Sequence, residues 1–498
     1  MISHIMRYGV TLSLLLPVFT SAQVSSFFVN SRYGGTYAAR VNPATSAQMQ
    51  HKWVVSPGGF DFSIFNNYLS MSMPYHPYRL ALKNYPDSLT TRYDNPLWRW
   101  NWVQTSKSDQ NISLHGFIRI NGPSALVKLG SHSFGLLSEV NFYADLKGIP
   151  KPLADAFYED LRRGHKLRRQ DSNFLNNGQQ IHLNIKQQGW AAIGFHYAYL
   201  WKFKRRKMIS AGITYKLLHG MGGSQIQVDA GNIEEQPDRS IRISSPGFEI
   251  KTLMPRKNLF YPKGFGGIDL GVQFLNKKSE TGKHNNSKYI HPEYMYRIGL
   301  SLLDIGHLVY TRTITTFLKS ESEAMNMPSI EEVLTWSPDK IKDELTKNFA
   351  NLRDAEPQTV YGKTTRIGLP TRLVLHGDMQ VTKKFYLDFL LQQNLRRVSS
   401  RHIHTLSFLS VTPRFEKRNW TVGFPISLDN NYRQFRMGFY ARWMYLYFGS
   451  RHIAAVVHPN GKQGADLFIG IQFGNLPGKF LKIKTPYLFL KKRRCAEF

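Results

Sequence analysis

The stretch from Gly189 to Gly220, GWAAIGFHYAYLWKFKRRKMISAGITYKLLHG, alternates with a period that few folds can absorb. Between Ala191 and Phe203 every odd residue is apolar or aromatic: Ala191, Ile193, Phe195, Tyr197, Tyr199, Trp201 and Phe203. The even positions hold Gly194, His196, Ala198 and Lys202. After a short basic turn the pattern resumes, with Ile209, Ala211, Ile213, Tyr215 and Leu217 on one face and Ser210, Gly212, Thr214 and Lys216 on the other. A period of two belongs to strands, so the stretch predicts a hairpin of two long strands. One face carries more large rings than water tolerates, and the other carries lysines that an apolar core would not.

The alternation recurs along the chain. Tyr296, Ile298, Leu300 and Leu302 oppose Arg297, Gly299 and Ser301, and Phe385, Leu387, Phe389 and Leu391 oppose Tyr386, Asp388 and Gln392. Phe439, Ala441, Trp443, Tyr445 and Tyr447 oppose Gly438, Tyr440 and Arg442. Near the end, Leu467, Ile469, Ile471 and Phe473 oppose Phe468, Gly470 and Gln472. About eighteen such runs are found, among them 223–229 and 451–458, separated by Pro, Gly and Asn turn signals, and no linker divides them. Long tilted strands absorb neighbouring runs, so the expected wall has an even number of strands between about 12 and 18, with 14 preferred.

The first residues carry Arg7, an apolar stretch from Val10 to Phe19 and the small-residue site Thr20-Ser21-Ala22. That pattern predicts a signal peptide over 1–22, cut between Ala22 and Gln23, and hence an exported chain. No other apolar run reaches helix-spanning length, and the mean hydropathy is −0.35, which transmembrane strands of about ten residues do not contradict. The single cysteine, Cys495, excludes an internal disulfide, so stability must come from a core or a closed sheet. The formal charge of +31, or +30 once Arg7 leaves with the leader, would suit nucleic acid in another compartment. Export directs it instead to lipid head groups, lipopolysaccharide phosphates or an anionic solute.

Two solvents fit the hairpin. Lipid outside accepts rows of Phe, Tyr, Trp, Leu and Ile, while a polar lumen accepts Lys202, Lys216, Arg297 and Arg442 on the opposite face, so arginine in place of Thr214 should be far milder than in place of Ile213 or Phe195. A soluble β-sandwich reverses the geometry by burying its apolar faces between sheets. An aromatic content of 13% favours the barrel, whose two interfacial girdles consume Tyr and Trp. The expected fold is therefore all-β, one transmembrane antiparallel β-barrel over 60–473. An N-terminal segment over 23–59 precedes it and a basic tail over 474–498 follows it. Two charged, partly helical insertions, 146–180 and about 320–360, read as long loops; in the second, Ser337 caps, Pro338 starts, and Ile341, Leu345, Phe349 and Leu352 share a face. The strand Leu467, Ile469, Ile471, Phe473 should close the wall, because Lys492 and Arg494 in the tail occupy alternate positions that lipid would refuse.

Five segments are spread over nearly the whole mature chain: VNPATSA (Val41–Ala47), GFGGIDLGVQF (Gly264–Phe274), RIGLSLLDIGHLVY (Arg297–Tyr310), LPTRL (Leu369–Leu373) and TPRFE (Thr412–Glu416). In this order they resemble the uncharacterised outer-membrane β-barrel proteins of Bacteroidota, a domain of unknown function, and more loosely the fatty-acid transport barrels. The resemblance implies a cell outer-membrane location and passage of a solute or lipid. In the fatty-acid barrels a segment with a similar Asn-Pro-Ala folds into the lumen as a hatch. The resemblance extends that role to 23–59, with Asn42-Pro43 fixing a turn; a plain turn into the first strand is the alternative.

No pattern of catalysis stands out. There is no Gly-x-Ser-x-Gly elbow, and Gly362-Lys363-Thr364 has Pro357 where a phosphate loop needs glycine. His402 and His404 share a strand face but lack further ligands at metal spacing. Asp269 and Asp304 suit hydrogen bonding within the wall. The chain is expected to be a non-enzyme without cofactor or metal. It would either pass a solute, anionic or amphipathic, or serve as a structural or assembly partner of cell-surface secretion or attachment machinery. A membrane-embedded hydrolase lacks its nucleophile and base.

Overall fold

The computed structural model describes the chain between Val24 and Gly474. It leaves out 72–102, 107–110, 152–153, 156–157, 159–180, 204–205, 231–232, 236–240, 244–246, 255–265, 278–293, 311, 320–324, 328–346, 348–357, 363–364, 397–402, 404, 430 and 453–463. The leader with its cleavage site at Ala22 and Gln23, the helix expected after Ser337, the pair His402 and His404, and the tail after Gly474 lie outside the described residues.

The wall is a closed antiparallel barrel of fourteen strands. β1 is Trp53–Asn66, β2 comprises Ile112–Asn121 and Ser124–Leu129, β3 is His132–Ile149, β4 Ile181–Lys202 and β5 Lys207–Ala230. β6 comprises Gly247–Met254 and Gly267–Lys277, and β7 comprises Tyr294–Ile305, His307–Tyr310 and Arg312–Lys319. β8 comprises Gln358–Gly362, Thr365–Gly368 and Arg372–Gln380; β9 is Phe385–Asn394 and β10 Phe408–Glu416. β11 comprises Trp420–Gly423 and Ile426–Asp429, β12 Gln434–Met437 and Phe439–Trp443, while β13 is Leu446–Ser450 and β14 Ala465–Gly474. Each strand pairs with the next, and β14 returns to β1 from Val54 opposite Gly474 to Ile64 opposite Ala465. The closing strand is therefore the one that ends at Phe473-Gly474, and the sheet keeps no edge.

The eighteen apolar runs become fourteen strands because several belong together. The runs at 209–217 and 223–229 are one strand, β5. Gly122-Pro123 interrupts β2 opposite Pro57-Gly58 of β1, and Phe424-Pro425 interrupts β11 beside Pro413 of β10. A proline offers no N–H to a ladder, so pairing stops there and resumes beyond it. Three expectations need correction. β1 begins at Trp53, seven residues before 60; Arg451 and His452, taken as the start of a strand, are not in one. Tyr445 and Tyr447 do not continue the lipid face of β12, because the Met444-Tyr445 turn reverses parity and buries Tyr447 inside while Leu446 and Phe448 face out.

Outward side chains form an apolar belt. Phe195 is 54% exposed and Ile213 40%, whereas Thr214, one residue on, is 1% exposed. On β14, Leu467, Ile469, Ile471 and Phe473 are exposed together while Phe468 and Gln472 are buried. The turns after β2, β4, β8, β10 and β12 take two to four residues and the connection after β6 sixteen, while at the opposite end all but the four-residue connection 430–433 are longer than twelve, up to the 45 residues of 67–111. Inside lies the chain's own N-terminus: a 3-10 turn Val24–Asn30, helix α1 Gly35–Ala39 and a second 3-10 turn Pro43–Gln48.

Candidate functional site

Residues 24–48 fill the lumen with an apolar centre. Phe28 is fully buried against Tyr440, Tyr447 and Phe468, with ring centroids at 4.9, 5.1 and 5.7 Å. Phe27 stacks on Tyr440 at 5.8 Å, and Tyr37 meets Tyr447 and Phe468 at 5.1 and 5.0 Å. Leu303, Val374, Leu390 and Phe408 complete the cluster from β7 to β10. Gln472 of β14 clamps the turn between the helices: its Oε1 accepts from Thr36 N and Oγ1 at 2.8 and 2.9 Å, and its Nε2 donates to Tyr33 O at 3.0 Å. Gly35 sits beneath that amide with φ of +52°, where a Cβ would stand 2.5 Å from the Gln472 oxygen. Burial pushes the Tyr37 hydroxyl above its usual range, and it lowers the Arg40 guanidinium despite the Glu139 carboxylate beside it.

The Asn42-Pro43-Ala44 turn rests in a notch cut by glycines. Gly212 of β5 and Gly271 of β6 are paired neighbours, and Gly299 of β7 lies beside them. A Cβ on Gly212 would stand 2.5 Å from the Pro43 carbonyl carbon, one on Gly271 2.1 Å from Asn42 Oδ1, and one on Gly299 2.7 Å from Asn42 Nδ2. His376 of β8 joins both 3-10 turns. Asn30 donates its amide to Gly377 O at 2.9 Å, so its oxygen faces His376 Nδ1 at 2.8 Å; Asn42 Oδ1 caps Ala44 N, so its amide donates to His376 Nε2 at 2.9 Å. Only the neutral ring with its proton on Nδ1 satisfies both contacts. His196 makes a further tie, to Ser46 at 2.7 Å and Thr214 at 2.8 Å.

Around this segment the buried charges are paired. Lys216 lies 2.6 Å from Asp304 and 2.8 Å from Asp269, and Arg372 reaches Asp304 at 3.3 Å. Arg40 of the lumen segment and Arg119 both reach Glu139, at 3.1 and 3.6 Å. A second network centres on Arg414, fully buried, with Asp388 at 2.8 Å, Asp378 at 3.0 Å and Glu416 at 3.4 Å. Arg297 joins it through Asp378 at 2.6 Å and also donates to Asn30 O. A third ties Arg436 and Arg451 to Asp429 and Asp466. Among the described residues, ten basic and ten acidic side chains are buried.

Of the four basic residues expected to face the lumen, Lys216, Arg297 and Arg442 are buried inside the barrel. They do not line one open path. Lys216 and Arg297 belong to separate networks, and Arg442 donates to Lys417 O and Arg418 O at 2.8 and 3.0 Å and covers the Tyr33 ring at 4.1 Å. Lys202 ends β4 and is exposed at the short-turn rim. Asp269 and Asp304 hydrogen-bond within the wall as expected, with Lys216 and Arg372 as their cations. The notch, His376, Gln472 and Arg414 were not singled out from sequence. Their signal was inward parity: Gly212, Gly271, Gly299, Arg414 and Gln472 all alternate with lipid-facing residues.

A second apolar layer lies above the first. β6, β7 and β8 are interrupted at one level, where His307–Tyr310 pairs with Thr365–Gly368 apart from the main sheet. Leu308, Tyr310, Ile367 and Leu369 of this ribbon pack on Phe117, Tyr143 and Trp190. Tyr310 accepts from Gln188 Nε2 at 2.9 Å. No group of three or more His, Cys, Asp or Glu that could hold a metal occurs among the described residues.

A closed wall of fourteen strands, apolar outside and packed through its lumen by its own N-terminal segment, defines a plugged transmembrane β-barrel. The chain belongs to the Family of unknown function (DUF5723), whose profile matches residues 43–450. No curated protein matches it in sequence. Among solved structures, the TodX monoaromatic hydrocarbon channel deltaS2 mutant is 9% identical, with 88% of this chain and 94% of that one covered and a TM-score of 0.41. A Pseudomonas aeruginosa FadL homologue is 10% identical over 91% of this chain and 98% of that one, at 0.37. The translocator domain of the autotransporter NalP from Neisseria meningitidis is 7% identical over 91% and 99%, at 0.26.

Proposed function

We propose that this chain sits in the outer membrane and passes an uncharged or amphipathic solute, with residues 24–48 as the gate. The observation that carries this reading is the interior: among the described residues its buried charges balance, ten against ten, around an aromatic centre. An anion pore needs cations with field to spare along a wet path, and guanidinium groups engaged by carboxylates have little. The outer-membrane placement rests on the apolar belt with short turns at one end and long loops at the other. One observation favours a static scaffold for surface machinery instead, namely that the lumen segment is wedged by backbone contacts at Gly212.

A reversible lock separates the two. Ser25 donates to Asp61 at 2.6 Å, so Ser25→Cys with Asp61→Cys, in a Cys495→Ser background, places two thiols across the gate and the wall. Liposomes carrying the oxidised protein should exclude a fluorescent amphipathic probe that they admit after reduction. Equal uptake in both states would remove the gate, and absence of uptake in either state would support the scaffold.

A further inference from the structure

The short-turn rim carries exposed or half-exposed cations nearly all the way round. Lys52 precedes β1, Lys128 closes β2, Lys207 opens β5, Lys277 closes β6, Lys384 stands between β8 and β9, and Lys417 between β10 and β11. Among the described residues, the β12–β13 turn and the end of β14 add none. Among the described residues the one acid at this end is Glu416, which is buried and faces Arg414 and Arg32. The acids that reach solvent, Asp155, Asp229 and Glu249, belong to the long-loop end.

The cations share their level with outward rings. Trp201, Phe385, Trp443 and Phe473 are exposed at the same strand ends, and Lys417 Nζ stands 5.1 Å from the Trp420 ring centroid and 5.6 Å from that of Phe415. Exposed aromatics at strand ends mark the depth of lipid head groups, so these ammonium groups sit where phosphates lie. A protein partner would meet a one-sided patch; a perimeter meets a lipid annulus. We propose that this rim binds a shell of anionic phospholipid head groups in the leaflet facing the short turns. The inference goes beyond the transport reading and does not depend on it.

The test uses the full-length protein in phosphatidylcholine vesicles doped with brominated phosphatidylglycerol or brominated phosphatidylcholine, with tryptophan quenching giving the relative binding constant. At low salt the anionic lipid should be preferred about threefold or more, falling to about one near 1 M salt. Lys383→Gln, Lys384→Gln, Lys417→Gln and Arg418→Gln combined should lose the preference, while Arg433→Gln at the long-loop end keeps it; a heat-modifiable band confirms that each barrel is folded. A wild-type constant of one at low salt, or a preference that survives the fourfold variant, overturns the proposal. So does the finding that the rim retains an immobilised acidic polypeptide but shows no lipid preference.

Discussion

Replacing Gly212 with alanine should reverse the usual sign of such a change. In a strand, alanine ordinarily gains about 0.5–1 kcal/mol over glycine, because it has less backbone freedom to lose on folding. At Gly212 the added methyl would stand 2.5 Å from the Pro43 carbonyl carbon and 2.7 Å from Ala44 N, and both are backbone atoms. Two escapes exist. The wall can shift, at the roughly 1–3 kcal/mol of overpacking, or the turn can withdraw, giving up the Asn42 bonds to Val272 O and His376 and its cap on Ala44 N at about 1 kcal/mol each. Either route costs about 2–3 kcal/mol, and withdrawal spares the wall. Gly212→Ala should therefore give a folded, heat-modifiable barrel with higher liposome conductance and with 24–48 open to protease. Gly377→Ala is the control: its Cβ would meet nothing nearer than Arg297 O at 3.7 Å, so barrel and gate should match wild type. A Gly212→Ala barrel as closed and protease-resistant as wild type would refute the seating of the gate in this notch.

Ile213→Arg, on the lipid face, should cost about 2–4 kcal/mol near mid-membrane in urea titrations of the reconstituted barrel, with a lipid-phase label reporting the same residue. Thr214→Arg should be no milder, because Thr214 is buried against His196 and the lumen has no room for a guanidinium; a mild effect would mean a wet lumen at that level. Arg414→Leu leaves Asp388 without its cation and Asp378 and Glu416 with only Arg297 and Arg32, and should cost about 3–5 kcal/mol, seen as a lower midpoint of heat modification. Truncation after Gly474 should still insert, since β14 is complete, whereas Phe473→Asp should sharply cut insertion yield; the opposite pair of results would place the closing strand in the tail.

What the sequence disclosed depended on how far each contact reaches along the chain. Alternation is local, so Phe195, Ile213 and Ile469 declare their lipid face within a few residues, and the count falls toward fourteen once runs such as those on either side of Pro123, of 218–222 and of Gly306 are joined. Interior pairing is not local. Lys216 meets Asp304 across 88 positions and Asn42 meets His376 across 334, and no period links such partners. For that reason Lys216 and Arg297 read as the lining of a cationic lumen when carboxylates hold them, and Arg442 when backbone carbonyls and the Tyr33 ring do. The same gap explains the expectation that Thr214 would tolerate arginine: parity tells that a residue faces inward, but not whether water or protein occupies the inside. Two signals did bear on occupancy. Barrel interiors filled with water have little use for inward glycine, and Gly212, Gly271 and Gly299 fall at one level on three successive strands, as a wall does where another backbone must come close. Asn42-Pro43, a cap followed by a residue that fixes its own φ, is the backbone that comes. The positive charge then has to lie elsewhere, because among the described residues the interior keeps ten cations in balance with ten acids. A net charge of +31 must be carried by turns, loops and termini, and on the described rim the lysines and arginines gather where the aromatic girdle meets the short turns.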